Sequence, residues 1–227
     1  MRLFALATLG FLAVAPVQAA TAPAQLLTHG DQGGFVLWTG ATAQPALPNL
    51  GIAPEGTVVG DMTFSLGPGA TQLIFGTSGL GFETWSTLIP GNALALSGNA
   101  SFTVDFAAPV GSFGFSFHEP SRTGPPPDAT NADDFIDSVF EVTLRSGGDL
   151  VGRTQFERRN DVLAFFGVHN PTLFDRVEIV EIVGGAENEY FGQFYTGTSV
   201  VPVPAALPLL ATGVIALGWL RRRSARR

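Results

Sequence analysis

The residues that could carry out catalysis are few and do not form a recognisable set. The chain has no Cys, and His29, His118 and His169 are scattered, without the H-E-x-x-H spacing of a metal-binding helix. Gly76-Thr77-Ser78-Gly79 lacks the G-x-S-x-G spacing of a nucleophile elbow. Because no set of residues fills the roles of an active site, we predict no catalytic residue and expect a protein that is not an enzyme.

His118 and Glu119 lie side by side at the end of a predicted strand, directly before a Pro-rich loop. Such a pair at a loop rim could act as an acid and a base, or as metal ligands. Neighbouring residues of a strand point to opposite faces, however, so the two side chains should diverge. We interpret the pair as the polar end of a strand.

The loop from Glu119 to Asp137 is the best candidate for a ligand site. After three consecutive prolines it carries clustered carboxylates at Asp128, Asp133, Asp134 and Asp137. Ca²⁺ takes about six to eight oxygen ligands, which such a cluster can supply, although the spacing is not that of an EF-hand. The alternative is a solvated acidic loop, because loops are where exposed charge normally lies.

Two tryptophans offer a different kind of site. If Trp38 or Trp85 is exposed, its indole ring could form a platform on which a sugar ring stacks. The alternative is that both belong to the core of a sandwich.

The charge is concentrated in the middle of the chain. All 19 acidic residues lie between Asp31 and Glu189, where only six of the 12 arginines lie, so this region carries a net charge of −13. A surface this acidic disfavours nucleic acid and anionic lipid as partners. Without Cys, the domain has no disulfides and depends on its apolar core.

Short apolar runs between Gly, Pro and Asn clusters indicate strands. Alternation is clear where Phe102, Val104 and Phe106 share one face and Thr103 and Asp105 the other. The predicted strands are Phe35–Trp38, Val58–Leu66, Gln72–Phe75, Ala93–Leu96, Ser101–Phe106, Ser112–Phe117, Val139–Arg145, Leu150–Phe156, Val162–Phe166, Phe174–Ile182 and Tyr190–Tyr195.

Two further sets repeat this alternation. Inward faces are predicted for Phe113, Phe115 and Phe117 after a turn at Ala108–Gly111, and for Phe140, Val142 and Leu144, with Glu141 and Thr143 outward. A hairpin connection is predicted at Ser146–Asp149. The pattern predicts an all-β, antiparallel two-sheet sandwich over residues 35–199, with a barrel as the alternative and a flexible lead-in at 20–34.

The N-terminus has the three parts of a secretory signal peptide. Arg2 is followed by an uncharged apolar run from Leu3 to Val17, and small residues precede a cleavage site after Ala19. We therefore expect residues 1–19 to be removed by signal peptidase after passage through the secretion translocon.

The C-terminus resembles a membrane anchor that is too short to be permanent. Residues 205–220 are uncharged, and a helix of this length spans about 24 Å, less than the ~30 Å hydrocarbon core. Arg221, Arg222 and Arg223 follow, and they should remain cytoplasmic, which places the domain outside.

The tail as a whole resembles the PEP-CTERM sorting signal, in particular its VPLPA variant. The motif residues are Val201, Pro202, Val203, Pro204 and Ala205, followed by the apolar run and the Arg cluster of residues 221–227. Val203 stands where the main pattern has Glu. The resemblance implies export in a Gram-negative bacterium and transient inner-membrane anchoring with the domain on the periplasmic side. Cleavage by an exosortase and release to the cell surface or the extracellular exopolysaccharide would follow.

The domain also contains sequence segments that are similar to segments of exported PEP-CTERM proteins. They are the stretches at residues 102–115, 165–168 with 174–177, and 190–197, and they imply a jelly-roll-like sandwich. In that family the last segment often carries Asp-Asn where this chain has Gly192-Gln193, so no role is transferred to that acidic position.

Three functions remain open. The first is a structural or interaction module of the cell surface or exopolysaccharide matrix, and the second is a carbohydrate-binding module, with or without calcium. The third is a hydrolase that acts on glycans, which would need two carboxylates at about 5–10 Å across a cleft.

Overall fold

The computed structural model describes residues 26–76, 88–120, 136, 138–184 and 189–198. Within these ranges the chain forms twelve strands and one short helix. The elements are β1 (Leu27–His29), α1 (Gln32–Thr39), β2 (Thr42–Ala43), β3 (Gly51–Ala53), β4 (Thr57–Val59), β5 (Met62–Leu66), β6 (Ala70–Gly76), β7 (Ala93–Gly98), β8 (Phe102–His118), β9 (Val139–Ser146), β10 (Asp149–Glu157), β11 (Ala164–Val183) and β12 (Tyr190–Gly197).

All the strand pairs are antiparallel, and two long strands, β8 and β11, run through both layers of a sandwich. In the first layer, residues 102–106 of β8 lie between β5 and residues 176–179 of β11, and the layer continues through β9 to β10. In the second layer, residues 112–118 of β8 lie between β12 and residues 164–169 of β11. β1 extends this layer beyond β11, and β7, β6 and β3 extend it beyond β12.

Phenylalanine rings fill the space between the layers. Phe156 of β10 lies 4.6 Å from Phe166 of β11, and Phe102 lies 4.8 Å from Phe191 of β12, measured between ring centroids. These distances are in the range of stacked and edge-to-face aromatic pairs, which add to the stabilisation from buried area. The predicted all-β antiparallel sandwich is confirmed.

The predicted strand faces agree with the structure, with one exception. Phe102, Val104 and Phe106 are buried, while Thr103 and Asp105 are partly exposed. The inward sets of β8 and β9 are also buried, namely Phe113, Phe115, Phe117, Phe140, Val142 and Leu144. Thr143, expected to point outward, is buried.

The turn predicted at residues 108–111 is wrong, because β8 continues through it as one strand of 17 residues. Pro and Gly there signal a reversal, but the chain instead crosses from one layer to the other with residues 107–109 exposed. β11 likewise joins two predicted strands, with register shifts between His169 and Arg176 where it crosses. The predicted hairpin after β9 is confirmed, and Gly147 and Gly148 occupy its two positions of positive φ, 57° and 94°.

The prediction of a strand at Phe35–Trp38 is also wrong, since these residues lie in α1. Both ends of the helix are capped: the Asp31 carboxylate accepts a hydrogen bond from Gly34 N, and Gly40 adopts φ 65° and donates to Val36 O. The segment expected to be a flexible lead-in contains β1 and the start of this helix. Capping and packing outweigh the strand preference of the Phe-Val-Leu-Trp run.

In the described part of the chain, no helix has the length and apolar character needed to cross a membrane. The segment 205–220, for which a membrane helix is predicted, lies outside the described residues.

Candidate functional site

The helix α1 packs against a pair of glycines on the outer face of the second layer. Gly114 of β8 and Gly167 of β11 are direct partners across the two strands. A Cβ atom at Gly114 would come within 3.0 Å of the Phe35 ring, and one at Gly167 within 2.6 Å. The missing side chains therefore make the room in which Phe35 is fully buried, and this contact fixes the position of the helix.

In this position the helix places Trp38 at the surface, between two imidazole rings. The centroid of the indole ring lies 5.3 Å from that of His29 and 5.6 Å from that of His169. The residue keeps 44% of its surface exposed. A ring held between two others yet open to solvent is the arrangement that a stacking platform requires.

The two histidines lie on either side of Trp38 because β1 pairs with β11. His29 lies opposite Gly167, so His169, two residues further along β11, is its diagonal neighbour on the same face. The two residues are scattered in the sequence and come near one another only in the fold. No local pattern could have revealed this arrangement, since it depends on strands that are far apart in the chain.

Both imidazoles are held in the neutral form. Burial lowers the pKa of His29 below its ordinary value. Burial also lowers the pKa of His169, against the opposing effect of a hydrogen bond with the Gly111 backbone, and the charge of His29 lowers it further. At neutral pH the two rings that flank Trp38 therefore carry no charge.

We expect the stability of the domain to fall as the pH drops below about 6.5, the ordinary histidine value. In that range the unfolded chain protonates its histidines while the folded chain keeps them neutral, so the unfolded state binds more protons and the free energy of unfolding decreases. The loss ends once the pH passes below the lowered pKa values of His29 and His169. Melting temperatures measured from pH 7.5 to 5.0 check this prediction.

The matched variant for this measurement combines His29→Gln and His169→Gln. It should show a shallower decline than the wild type, with a remainder from His118, whose pKa burial also lowers against the charge of Asp161. Equal slopes in the two proteins would contradict the assignment to this pair.

His118 is the last residue of β8, as the interpretation of a polar strand end expects, and both His118 and Glu119 are buried. His118 Nδ1 accepts a hydrogen bond from Leu88 N at 3.3 Å. The Ser138 hydroxyl lies 2.5 Å from Glu119 Oε1 and 3.2 Å from Glu189 Oε1, so the two carboxylates share one neutral donor. Across the described ranges, no group of three or more His, Asp or Glu side chains is placed to hold a metal ion.

A polar cleft of about 340 Å³ lies in the first layer beside the hairpin of β9 and β10. Its charged groups are already paired: Arg176 Nε donates to Asp105 Oδ1 at 2.6 Å, and Gly147 N donates to Asp175 Oδ2 at 2.8 Å. A ligand here would have to displace these pairs. The cleft is therefore a weaker candidate than the exposed indole ring of Trp38 with its flanking His29 and His169, which we call the Trp38 platform.

The remaining predicted site residues lie outside the described residues. They are Trp85, the four aspartates of the proposed calcium loop, Ala19 of the signal cleavage site, and the sorting residues 201–205 and 221–223.

No family model and no curated protein matches this chain. Among solved structures, a mutant of the family 29 carbohydrate-binding module CBM29-2 is similar at TM-score 0.40 and 10% identity, over 70% of this chain and 92% of that one. The family 11 module of the cellulosomal cellulase Lic26A-Cel5E of Clostridium thermocellum is similar at TM-score 0.35 and 10% identity, over 65% and 94% of the chains. Likenesses at these values carry no information about a ligand.

Proposed function

We propose that the domain binds carbohydrate, and that the Trp38 platform is its contact surface. The observation that carries the proposal is the exposed indole ring fixed between His29 and His169. The C–H groups on one face of a sugar ring carry partial positive charge and stack on the negative face of an aromatic ring. The imidazoles beside it are neutral, so the contact carries no charge of its own.

The charge of the domain points to a neutral glycan. With 19 acidic residues and six arginines between residues 31 and 189, the domain repels anionic polysaccharide at low ionic strength. Neutral histidines at the platform do not offset this charge. We therefore expect neutral polysaccharides to bind more tightly than uronic-acid polymers, unless calcium bridges the two.

The test is a Trp38→Ala variant on an array of neutral and anionic glycans. Losing a central aromatic contact should weaken binding by about ten- to a hundredfold. Leu37→Ala is the matched control, because Leu37 is the preceding residue of the same helix and is 88% exposed. Loss in both variants, or in neither, would count against the platform.

Two additions to the array separate the other functions. Running it with Ca²⁺ and with EDTA tests whether calcium assists through Asp128, Asp133, Asp134 and Asp137. Assaying the same polysaccharides for released sugars tests the hydrolase. If no glycan binds and none is cleaved, the remaining function is a structural or interaction module of the surface matrix.

We also propose that the protein is exported and sorted by its C-terminal tail, with the jelly-roll form of the sandwich that the PEP-CTERM resemblance implies. The support is the order of the Pro motif at 201–205, the short apolar run and the Arg cluster. The domain would then act at the cell surface or in the extracellular exopolysaccharide, where a glycan-binding face has a partner.

Cleavage of the tail is a separate prediction. Mature protein should lack the residues beyond about Pro204, because an exosortase would cut near the Pro motif, and deletion of the exosortase should leave full-length protein in the membrane. Replacing Arg221, Arg222 and Arg223 with Glu should impair retention or orientation. Mass spectrometry of surface-released protein is the measurement, and intact Arg221–Arg223 on that protein would contradict the prediction.

A further inference from the structure

The strand β1 and the helix α1 form a small unit at the edge of the second layer, residues 27–40, which we call the β1–α1 unit. β1 has three residues and pairs only with β11 among the described strands. Of the eight residues of α1, only Phe35 and Thr39 are buried, and no residue of β1 is. A segment with so few buried side chains opens at a lower free-energy cost than the core of the same domain.

The sheet beneath the unit is held more firmly. Residues 112–118 of β8 lie between β11 and β12, and the rings of Phe113 and Phe115 on this stretch are fully buried. The chain that follows the unit returns to the sheet as β2, which pairs with β12. Residues 27–40 can therefore leave the sheet while both layers of the sandwich stay packed.

The two histidines lie on opposite sides of the contact between the unit and the sheet. His29 belongs to β1, whereas His169 belongs to β11 and is only 4% exposed. Leu27 lies directly opposite His169, and the ring of Trp38 lies 5.6 Å from its ring, edge to face. The unit therefore covers His169, and its detachment would bring both imidazoles into contact with water.

A protonated imidazole would be poorly accommodated while the unit is in place. His29 Nε2 and His169 Nδ1 are both buried and have no hydrogen-bond partner among the described residues. Both nitrogens of a protonated imidazole are donors, so each ring would then hold at least one buried N–H without an acceptor. Leaving a buried donor unsatisfied is costly, whereas water satisfies it once the unit is open.

No negative charge on the packed elements compensates for such a proton. Burial is the first cause that lowers the pKa of each ring, and no carboxylate of the described residues raises either pKa. The Asp31 carboxylate accepts the hydrogen bond from Gly34 N at the start of α1. The guanidinium of Arg158 lies 3.5 Å from the position of a Cβ atom on Gly30, and it is itself a cation. The neighbours of His169 on β8 and β11 are uncharged, namely Ser112, Val168 and Asn170.

We propose that mild acid opens the β1–α1 unit ahead of the sandwich, because His29 and His169 accept protons readily only when it is open. The open unit then binds more protons than the closed one, so a falling pH favours opening. Opening also separates Trp38 from the ring of His169, so it competes with any glycan on the Trp38 platform. Only this last consequence rests on the proposed function.

Hydrogen exchange of the full chain, followed by mass spectrometry without any glycan, tests the opening. Rates at pH 7.5 and 5.5 are divided into the intrinsic rate at each pH, which gives the protection of each segment. Residues 27–40 should be less protected than residues 112–118 at both pH values. Their protection should fall at pH 5.5 by up to about tenfold for each histidine. Equal protection of the two segments, or no fall in residues 27–40, would overturn the proposal.

Histidine variants assign the effect. His29→Gln, on a partly exposed edge strand, should remove about half of the fall on a logarithmic scale, and adding His169→Gln should remove the rest. His118→Gln is the matched control, because His118 is also buried but lies about 20 Å along β8 from Ser112, the partner of His169. A fall that persists in the double variant, or one that His118→Gln abolishes, would overturn the proposal. If the double variant does not fold, an unchanged fall in His29→Gln does so.

A neutral glycan that binds the wild type on the array separates this inference from the proposed function. At a concentration of 100 times Kd it should raise the protection of residues 27–40 at pH 5.5 by about a hundredfold, since it binds only the closed unit. Binding without this gain would overturn the Trp38 platform and leave the acid opening standing. A protein that binds no glycan but opens in acid would do the same.

Discussion

Replacing Phe115 with alanine is expected to lower the free energy of unfolding by about 3–5 kcal/mol, the range for removing a large buried aromatic side chain. Phe115 is fully buried, and its ring lies within 5.7 Å of the rings of Phe113, Phe156, Phe166 and Phe191. Phe156 belongs to the first layer and Phe115 to the second, so the cavity would open between the two layers. Without disulfides, such a loss is a large share of the stability of an ordinary domain.

The same reasoning applies with similar size to Phe102, Phe106 and Phe113, which share the interior. Thr103→Ala is the control, because Thr103 points to the opposite face of β8 and is partly exposed. Its effect should stay within about 0.5 kcal/mol. Thermal or urea unfolding measures both, and a larger loss from Thr103→Ala than from Phe115→Ala would mean that the two faces are inverted.

Replacing Gly167 with alanine is expected to displace α1 and to lower the free energy of unfolding by about 1–3 kcal/mol, as overpacking does. The new Cβ atom would lie 2.6 Å from Phe35 Cδ2, a distance that requires the ring to move. Because Phe35 fixes the helix, Trp38 should move with it, and glycan binding should weaken even where the sandwich remains folded. Unfolding curves, tryptophan fluorescence and titration with glycan measure the three effects.

Gly30→Ala is the matched control for this substitution. A Cβ atom at Gly30 meets only Arg158, at an ordinary 3.5 Å. Adding Phe35→Leu to Gly167→Ala should restore part of the stability, because the smaller side chain leaves room for the methyl group. The steric explanation fails if Gly30→Ala is as harmful as Gly167→Ala, or if Phe35→Leu brings no recovery.

The local parts of the fold were predictable and the non-local parts were not. The alternation of apolar and polar residues in β8 and β9 predicts the inward faces, because side chains of a strand change face at every residue. The pair Gly147-Gly148 predicts the hairpin, because only glycine takes those φ values easily. The crossing of β8 between layers was missed because Pro109 and Gly111 have the same local preferences in a bend as in a turn. α1 was missed because its stability depends on Phe35 packing against two distant glycines.

The residues of the candidate site also divide into those that the local sequence indicates and those that only the fold brings together. Trp38 could be singled out by residue type, since an exposed indole has few other uses. Its neighbours His29 and His169 could not, because 140 positions separate them in the chain and only the pairing of β1 with β11 joins them.

The position of β12 has a consequence for how the protein is made. β12 is the last described strand to leave the ribosome, yet it lies between β8 and β7 rather than at an edge. Until residues 190–197 leave the ribosome, the edges of β7 and β8 that face each other have no partner strand and can pair with a wrong strand. A chaperone that keeps the chain unfolded would prevent this mispairing. The second layer therefore cannot close during synthesis of the earlier strands. This delay suits a chain that we propose is threaded through a membrane unfolded, because the sheet becomes complete only on the far side.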